Sequence, residues 1–426
     1  MSKRRKPWNW FRIGFLGLLV MAAFYVNQVI VPGVPPIGIP TPTATRDPES
    51  FISEAEQLVL QGKLNQAIDA YTQVVHARPK DSASYIAMAR AQVWAGKYED
   101  AQKSADYAIL LNPTNSTAHA VRGWALDFQG KYLDSETSIK RALELDGNNA
   151  LAHAYYAELL IDQHQSNAGA LDNIQRAKDE SKRALELAVG STRLEAHRAR
   201  GYVYSAVGDN ELAIVEYLAA IAINKNIEDL QLNLGLNYQA LQIYDKALAA
   251  YGVANTLNAA DPLPNLYTSR IYAGIGEYAL ALQWAKDAEK AAPGNASLHG
   301  NLGVMYYRNF KYDEAAQELA LVVNGGTLTD GTVIPSLELA SAARVSEYYF
   351  TYGLALVKLD RCGEALPVFQ KIINTVPLDE IAVFNAQDGI NKCAAAANDA
   401  LTPDAPSAAD ETPTPTILGQ APTPSS

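Results

Sequence analysis

The side chains here with chemistry to offer are six histidines, two cysteines and 46 carboxylates, in a chain of 426 residues. Four histidines, His119, His153, His197 and His299, fall at equivalent places on predicted helices and raise the question of a metal. Geometry opposes it: neighbouring helices pack about 8–10 Å apart, whereas a zinc–nitrogen bond is about 2 Å. They read as packing residues. No G-x-S-x-G, H-E-x-x-H, Walker-type, EF-hand or C-x-x-C pattern occurs. The carboxylates scatter over helix faces as a solvated surface requires. The sequence therefore assigns no catalytic residue, metal or cofactor, and no small-molecule substrate is expected.

What positions these side chains is a period. Gly96-Lys97-Tyr98 returns 34 residues later as Gly130-Lys131-Tyr132, and Ala108 returns as Ala142. A small or β-branched residue recurs at Val74, Ala108, Ala142, Ala184, Ala220, Ala254, Ala288, Val322 and Ile372. Five of the eight intervals are 34, which chance explains poorly. Each unit reads as a helical hairpin, for example residues 84–95 followed by 99–111. A fixed beat of this length marks a stacked array in which each hairpin covers the apolar face of the one before. Gly123, Gly201, Gly235, Gly303 and Gly353 fall where paired helices must approach closely. Gly62, Gly96, Gly130, Gly208 and Gly276 fall at the inter-helix turn, where positive φ costs glycine little.

One unit runs Leu234-Gly235-x-x-Tyr238 then Ala247-x-x-x-Tyr251; a later one carries Tyr352-Gly353, Ala365, Phe369 and Pro377. These residues resemble the tetratricopeptide repeat (TPR) family. The resemblance covers residues 48–397 and implies an all-α solenoid of about nine repeats with a capping helix over residues 380–397. On this reading the four histidines stand where the family often has tryptophan. Two insertions break the beat, near 163–175 and 324–345. In the second, an Asp330-Gly331 turn between β-formers predicts a short hairpin projecting from the stack, with a disordered loop as the alternative. The capping helix is expected to offer Ile381, Phe384 and Ile390 to the stack.

The termini differ in kind from the array. Five basic residues and no acid lie in residues 1–12, which leaves 30 basic and 46 acidic residues, or −16, for the rest. So acidic a body repels phosphate backbones, and nucleic acid is not an expected partner. Residues 13–31 are almost continuously apolar and would rise about 28 Å as a helix, close to a bilayer core of roughly 30 Å. With Trp8, Trp10, Phe11 and the basic cluster before it, this stretch reads as a transmembrane signal anchor, N-terminus cytoplasmic and body extracytoplasmic. The alternative is a cleaved signal peptide and a secreted body. Residues 32–47 form a proline-rich linker. Residues 398–426, rich in Pro, Thr, Ser and Ala, read as a disordered tail.

Cys362 begins one predicted helix and Cys393 lies near the end of the next, so antiparallel packing brings them to one level. Outside the cytoplasm a disulfide is expected; the competing reading is two buried thiols. Asn115-Ser-Thr117 and Asn295-Ala-Ser297 match the glycosylation pattern, but both lie in inter-repeat loops where asparagine favours turns.

In the TPR family the first helix of each hairpin lines a concave face that takes peptides. That resemblance implies a partner-binding groove formed by Arg90, Trp94, Trp124, Phe128, Tyr202, Arg270, Tyr307 and Arg308. Aromatic and arginine side chains are the usual anchors of interfaces. The expected function is a membrane-tethered, extracytoplasmic scaffold that binds a protein or peptide. A cytoplasm-facing accessory domain and a non-catalytic regulatory subunit of an envelope enzyme are the alternatives.

Overall fold

The computed structural model of the chain describes residues 9–30, 47–166, 172–339 and 343–401. Residues 1–8, 31–46, 167–171, 340–342 and 402–426 lie outside the described residues, and with them the expected proline-rich linker, the disordered tail and parts of both insertions.

Helix α1 (Trp10–Tyr25) continues as a wider π-type turn over Val26–Ile30. It begins at Trp10 rather than Ile13 and buries none of its residues. The span Trp10–Val29 is long and apolar enough to cross a membrane.

Among the described residues nine helical hairpins follow, as the period predicts. They are α2 (Pro48–Leu60) with α3 (Leu64–Ala77), α4 (Ser82–Trp94) with α5 (Tyr98–Leu111), and α6 (Ser116–Asp127) with α7 (Tyr132–Leu145). Next come α8 (Ala150–Gln165) with α9 (Asn173–Leu187), α10 (Thr192–Ala206) with α11 (Asn210–Ile223), and α12 (Glu228–Ala240) with α13 (Tyr244–Leu257). The last three pair α14 (Leu263–Gly274) with α15 (Tyr278–Ala291), α16 (Ala296–Arg308) with α17 (Tyr312–Asn324), and α18 (Ala343–Lys358) with α19 (Cys362–Thr375). Helix α20 (Glu380–Leu401) closes the stack.

The local chemistry repeats with the hairpin. Asn115 and Asn149, one period apart, cap α6 and α8 by accepting from the backbone N–H of Ala118 and Ala152, the usual work of an asparagine at a helix start. Asn295 caps α16 in the same manner, so both glycosylation matches sit in capping turns. All nine crossing positions, from Val74 to Ile372, are buried.

Glycines on the first helices face the side chain one turn before those positions, which makes the close approach possible. A Cβ on Gly235 would overlap the Tyr251 ring, and one on Gly353 would overlap Phe369. Gly235→Leu is expected to cost roughly 1–3 kcal/mol or more by overpacking this crossing. A urea midpoint for the variant equal to that of the parent would show the register to be wrong.

The left-handed turn residue is glycine at 62, 96, 130, 208 and 276, but Gln242, Phe310 and Asp360 take the same conformation in hairpins six, eight and nine. The repeat geometry, held by two packed helices, imposes the strained φ even where no glycine is present.

In the second insertion, β1 (Gly326–Thr327) pairs antiparallel with β2 (Val333–Ile334). Ile334 is buried, and Leu337 donates its N–H to the Val322 carbonyl, so the hairpin is stitched to the stack rather than projecting freely. The cap also differs in register from expectation. Ile381 and Phe384 are 61% and 68% exposed, while Ala382, Ala386 and Cys393 are buried and Ile390 is half-buried. The Phe369 ring already fills this groove and lies against Gly389, so the helix can seat only with its smaller residues inward.

Candidate functional site

The first helices of hairpins two to six converge, because the array winds back on itself. Asn224 and Asn226, between α11 and α12, donate their side-chain amides to the carbonyls of Val59 and Leu60 at the end of α2. Hairpin one thus meets the junction of hairpins five and six, and five hairpins complete one turn. The inner faces of α4, α6, α8, α10 and α12 become a packed interior.

At its centre lies Arg198 of α10, buried among aromatic rings and carboxylates. Its guanidinium stands 5.4 Å from the Trp94 ring centroid, 5.8 Å from Trp124 and 5.6 Å from Phe128. It pairs with Glu158 at 2.5 Å and Asp229 at 2.6 Å. Arg90 of α4 pairs with Glu195 of α10, a contact spanning 105 residues of sequence. Trp124 stacks on Tyr155 with centroids 4.4 Å apart and donates its indole N–H to Glu158.

Burial drives the protonation pattern. It pushes Glu158 up to about 7 against the pull of Arg198. It pushes Asp127 well above the usual carboxylate range, with Asp162 and Glu158 adding repulsion. Asp162 is also raised by burial, although Tyr202 donates its hydroxyl to it. Repulsion between Asp127 and half-buried Asp162 thus disfavours ionising both together.

The eight groove residues therefore separate. Arg90, Trp94, Trp124, Phe128 and Tyr202 come together at this interior. Trp124 is fully buried and packs the turn. Arg90 and Tyr202 are half-buried and engaged by Glu195 and Asp162. Phe128 is 39% exposed and stacks on Tyr98. Arg270, Tyr307 and Arg308 lie in the later hairpins, away from this cluster: Arg270 stands over Tyr267, Arg308 over Tyr278, and Tyr307 against Tyr312.

Arg198, Glu158, Asp229 and Glu195 were not anticipated. The available signal was charge on an otherwise small and apolar helical stripe, as in Glu158 within Ala157-Glu158-Leu159.

The histidines do more than pack. His119, His153 and His299 each bring Nε2 to a loop carbonyl six residues upstream: Pro113, Gly147 and Pro293. His153, His197 and His299 bring Nδ1 to Glu180, Glu216 and Glu318 on the partner helix. A carbonyl and a carboxylate both only accept, so full bonding at His153 and His299 requires the imidazolium. Burial, the largest influence, pulls these two down; the bonds to the glutamate and the carbonyl outweigh it and leave both raised.

A raised histidine adds stability that is complete below its unfolded value near 6.5 and fades as pH climbs through the higher folded value. Hydrogen exchange over residues 295–324 is accordingly expected to quicken between pH 6 and pH 9, beyond the intrinsic dependence. His299→Phe should flatten that response; an unchanged response in the variant would refute the assignment. Among the described residues no group of His, Cys, Asp and Glu is placed to hold a metal.

Cys362 and Cys393 are joined by a disulfide, with Cα atoms 5.6 Å apart. It ties the start of α19 to α20.

Comparison with known proteins finds likenesses over parts of the chain. Residues 58–125 match the family model described as tetratricopeptide repeat. Over 80 residues the chain is 29% identical to cell division cycle protein 27 homolog A of Arabidopsis thaliana, covering 19% of this chain and 11% of that one. The chain thus spans about a tenth of that relative's length. A solved structure from a functional characterisation of Pseudomonas aeruginosa pilF aligns with a TM-score of 0.38 and 16% identity, over 51% of this chain and 95% of the other. A tetratricopeptide repeat protein from Parabacteroides merdae aligns with a TM-score of 0.42 and 16% identity, over 65% and 99%.

Proposed function

We propose that this chain, an all-α array of tetratricopeptide-type hairpins, is a membrane-tethered scaffold whose body stands outside the cytoplasm and recruits a protein or peptide partner. Tetratricopeptide repeats generally serve as protein-binding scaffolds, which supports the recruiting role. The observation that carries the tether is α1, an apolar helix that buries none of its residues against the body. A helix of this kind exposed to water would be costly, whereas a bilayer removes the cost. The basic residues at Lys3, Arg4, Arg5, Lys6 and Arg12 favour a cytoplasmic N-terminus. The disulfide favours an oxidising compartment for the body.

Protease treatment of intact cells tests the topology, with carbonate-washed membranes as the companion fraction. Digestion of a membrane-retained body supports the reading. A protected body overturns it in favour of a cytoplasm-facing domain, and a body released into the medium overturns it in favour of secretion after cleavage.

A further inference from the structure

Within the closed turn lies a cleft of about 390 Å³, where hairpins two and three face hairpins six and seven. Trp94, Tyr98 and Phe128 line one side. Glu228, Asp229 and Asp261 line the other, with Arg198 at the floor. The aromatic wall is built rather than incidental: Tyr98 and Phe128 stack at 4.7 Å with planes 4° apart, and Trp94 meets Trp124 edge-on at 5.1 Å.

The acidic wall is incompletely served. Asp229 is engaged by Arg198 and Asn233. Glu228 keeps one carboxylate oxygen sealed from solvent with no hydrogen-bond donor. Its neighbour Asp261 is another acceptor, so a bond between the two exists only when one carries a proton. Arg198 is directed to Glu158 and Asp229.

We propose that this cleft is a binding pocket for an arginine side chain of the partner. Its guanidinium would bridge Glu228 and Asp261 and lie along the Trp94–Tyr98–Phe128 wall. The inference rests on the reading of the chain as a protein-binding scaffold and names the chemistry of one anchor.

A guanidinium fits both walls. Its planar fork can donate to two carboxylates at once, and its face is attracted to aromatic rings. The interior repeats the same design, with Arg198 held by two carboxylates beneath three rings. Burial first, then repulsion from Asp261 and Asp229, pushes Glu228 up to about 9. A bound guanidinium would displace that proton, so affinity should rise with pH between about 6 and 9. The other charged and titratable groups facing the pair are Arg198 and Tyr98.

The test uses the full-length protein in detergent and Nα-acetyl-arginine amide as probe, followed by tryptophan fluorescence and proton release. Saturable binding, at least tenfold weaker for the isosteric but uncharged acetyl-citrulline amide, is expected. Binding should release a proton at pH 7, and the double variant Glu228→Gln, Asp261→Asn should weaken it at least tenfold. Equal binding of citrulline, no saturable binding, or an unaffected double variant would overturn the pocket.

Folding is a separate readout. Glu228 has a raised value when folded, so its share of stability fades as pH climbs from about 4.5 towards 9, and Glu228→Gln should melt higher than the parent at pH 8. The small probe reports on the cleft alone, so its failure leaves the scaffold reading, whose topology the protease treatment tests, untouched.

Discussion

Arg198→Ala is expected to destabilise the closed turn by roughly 3–5 kcal/mol, the range for removing one partner from a buried charge cluster. The substitution strands Glu158, itself buried, and withdraws the only cation that Asp229 meets at ion-pair distance among the described residues. It also removes the cation that stands over Trp94, Trp124 and Phe128. Much of the cost comes from the orphaned carboxylates, so it should shrink in acid, where they protonate. Exchanging Arg198, Glu158 and Asp229 together for apolar residues of similar volume should recover much of the loss, as buried ionic clusters often permit. Urea unfolding followed by tryptophan fluorescence reads both. A loss below about 1 kcal/mol for Arg198→Ala would show that the guanidinium is solvated and the interior open.

Breaking the disulfide is the second large effect. Cys362 and Cys393 are 31 residues apart in sequence, and cross-linking a loop of that length limits the unfolded ensemble by roughly 3–4 kcal/mol on chain-entropy grounds. The effect should be local. The contacts that close the turn join hairpins one to seven and do not reach hairpin nine, so Cys362→Ser with Cys393→Ser should speed hydrogen exchange in α19 and α20 and leave hairpins one to three unchanged. The cap has little else to lean on at its exposed face, where Ile381 and Phe384 meet solvent. Uniform exchange in parent and variant would mean the cap is held by packing alone.

What could be read in the chain, and what could not, follows from the range of each interaction. The crossing residues, and the glycines that face the side chain one turn before them, act between adjacent helices, and a one-dimensional period records them; Gly235 against Tyr251 is such a contact. The left-handed turns at Gln242, Phe310 and Asp360 escaped notice because packing imposes them without the expected residue. The cap's register was missed because Ile381 and Phe384 are its most apolar residues, whereas the space left by Phe369 admits only Ala382, Ala386 and Gly389.

The interior around Arg198 lay furthest out of reach. Nearest-neighbour reasoning has each repeat touch the next, and the small rotation per hairpin that brings α2 to the α11–α12 loop is visible only when summed over five units. That closure turns Trp124 from a groove residue into core. It also places Glu228 and Asp261 opposite Trp94.

The return of hairpin one to the junction between hairpins five and six is the claim on which the buried interior and the cleft both depend. Spin labels at Lys63→Cys and Lys225→Cys flank that contact, and the native cysteines, being bonded to each other, do not react with the label. Pulsed dipolar spectroscopy should give a single narrow distribution at the shortest distances the method resolves. A broad distribution centred at long distance would mean an open superhelix, with Arg198 and Trp124 facing water.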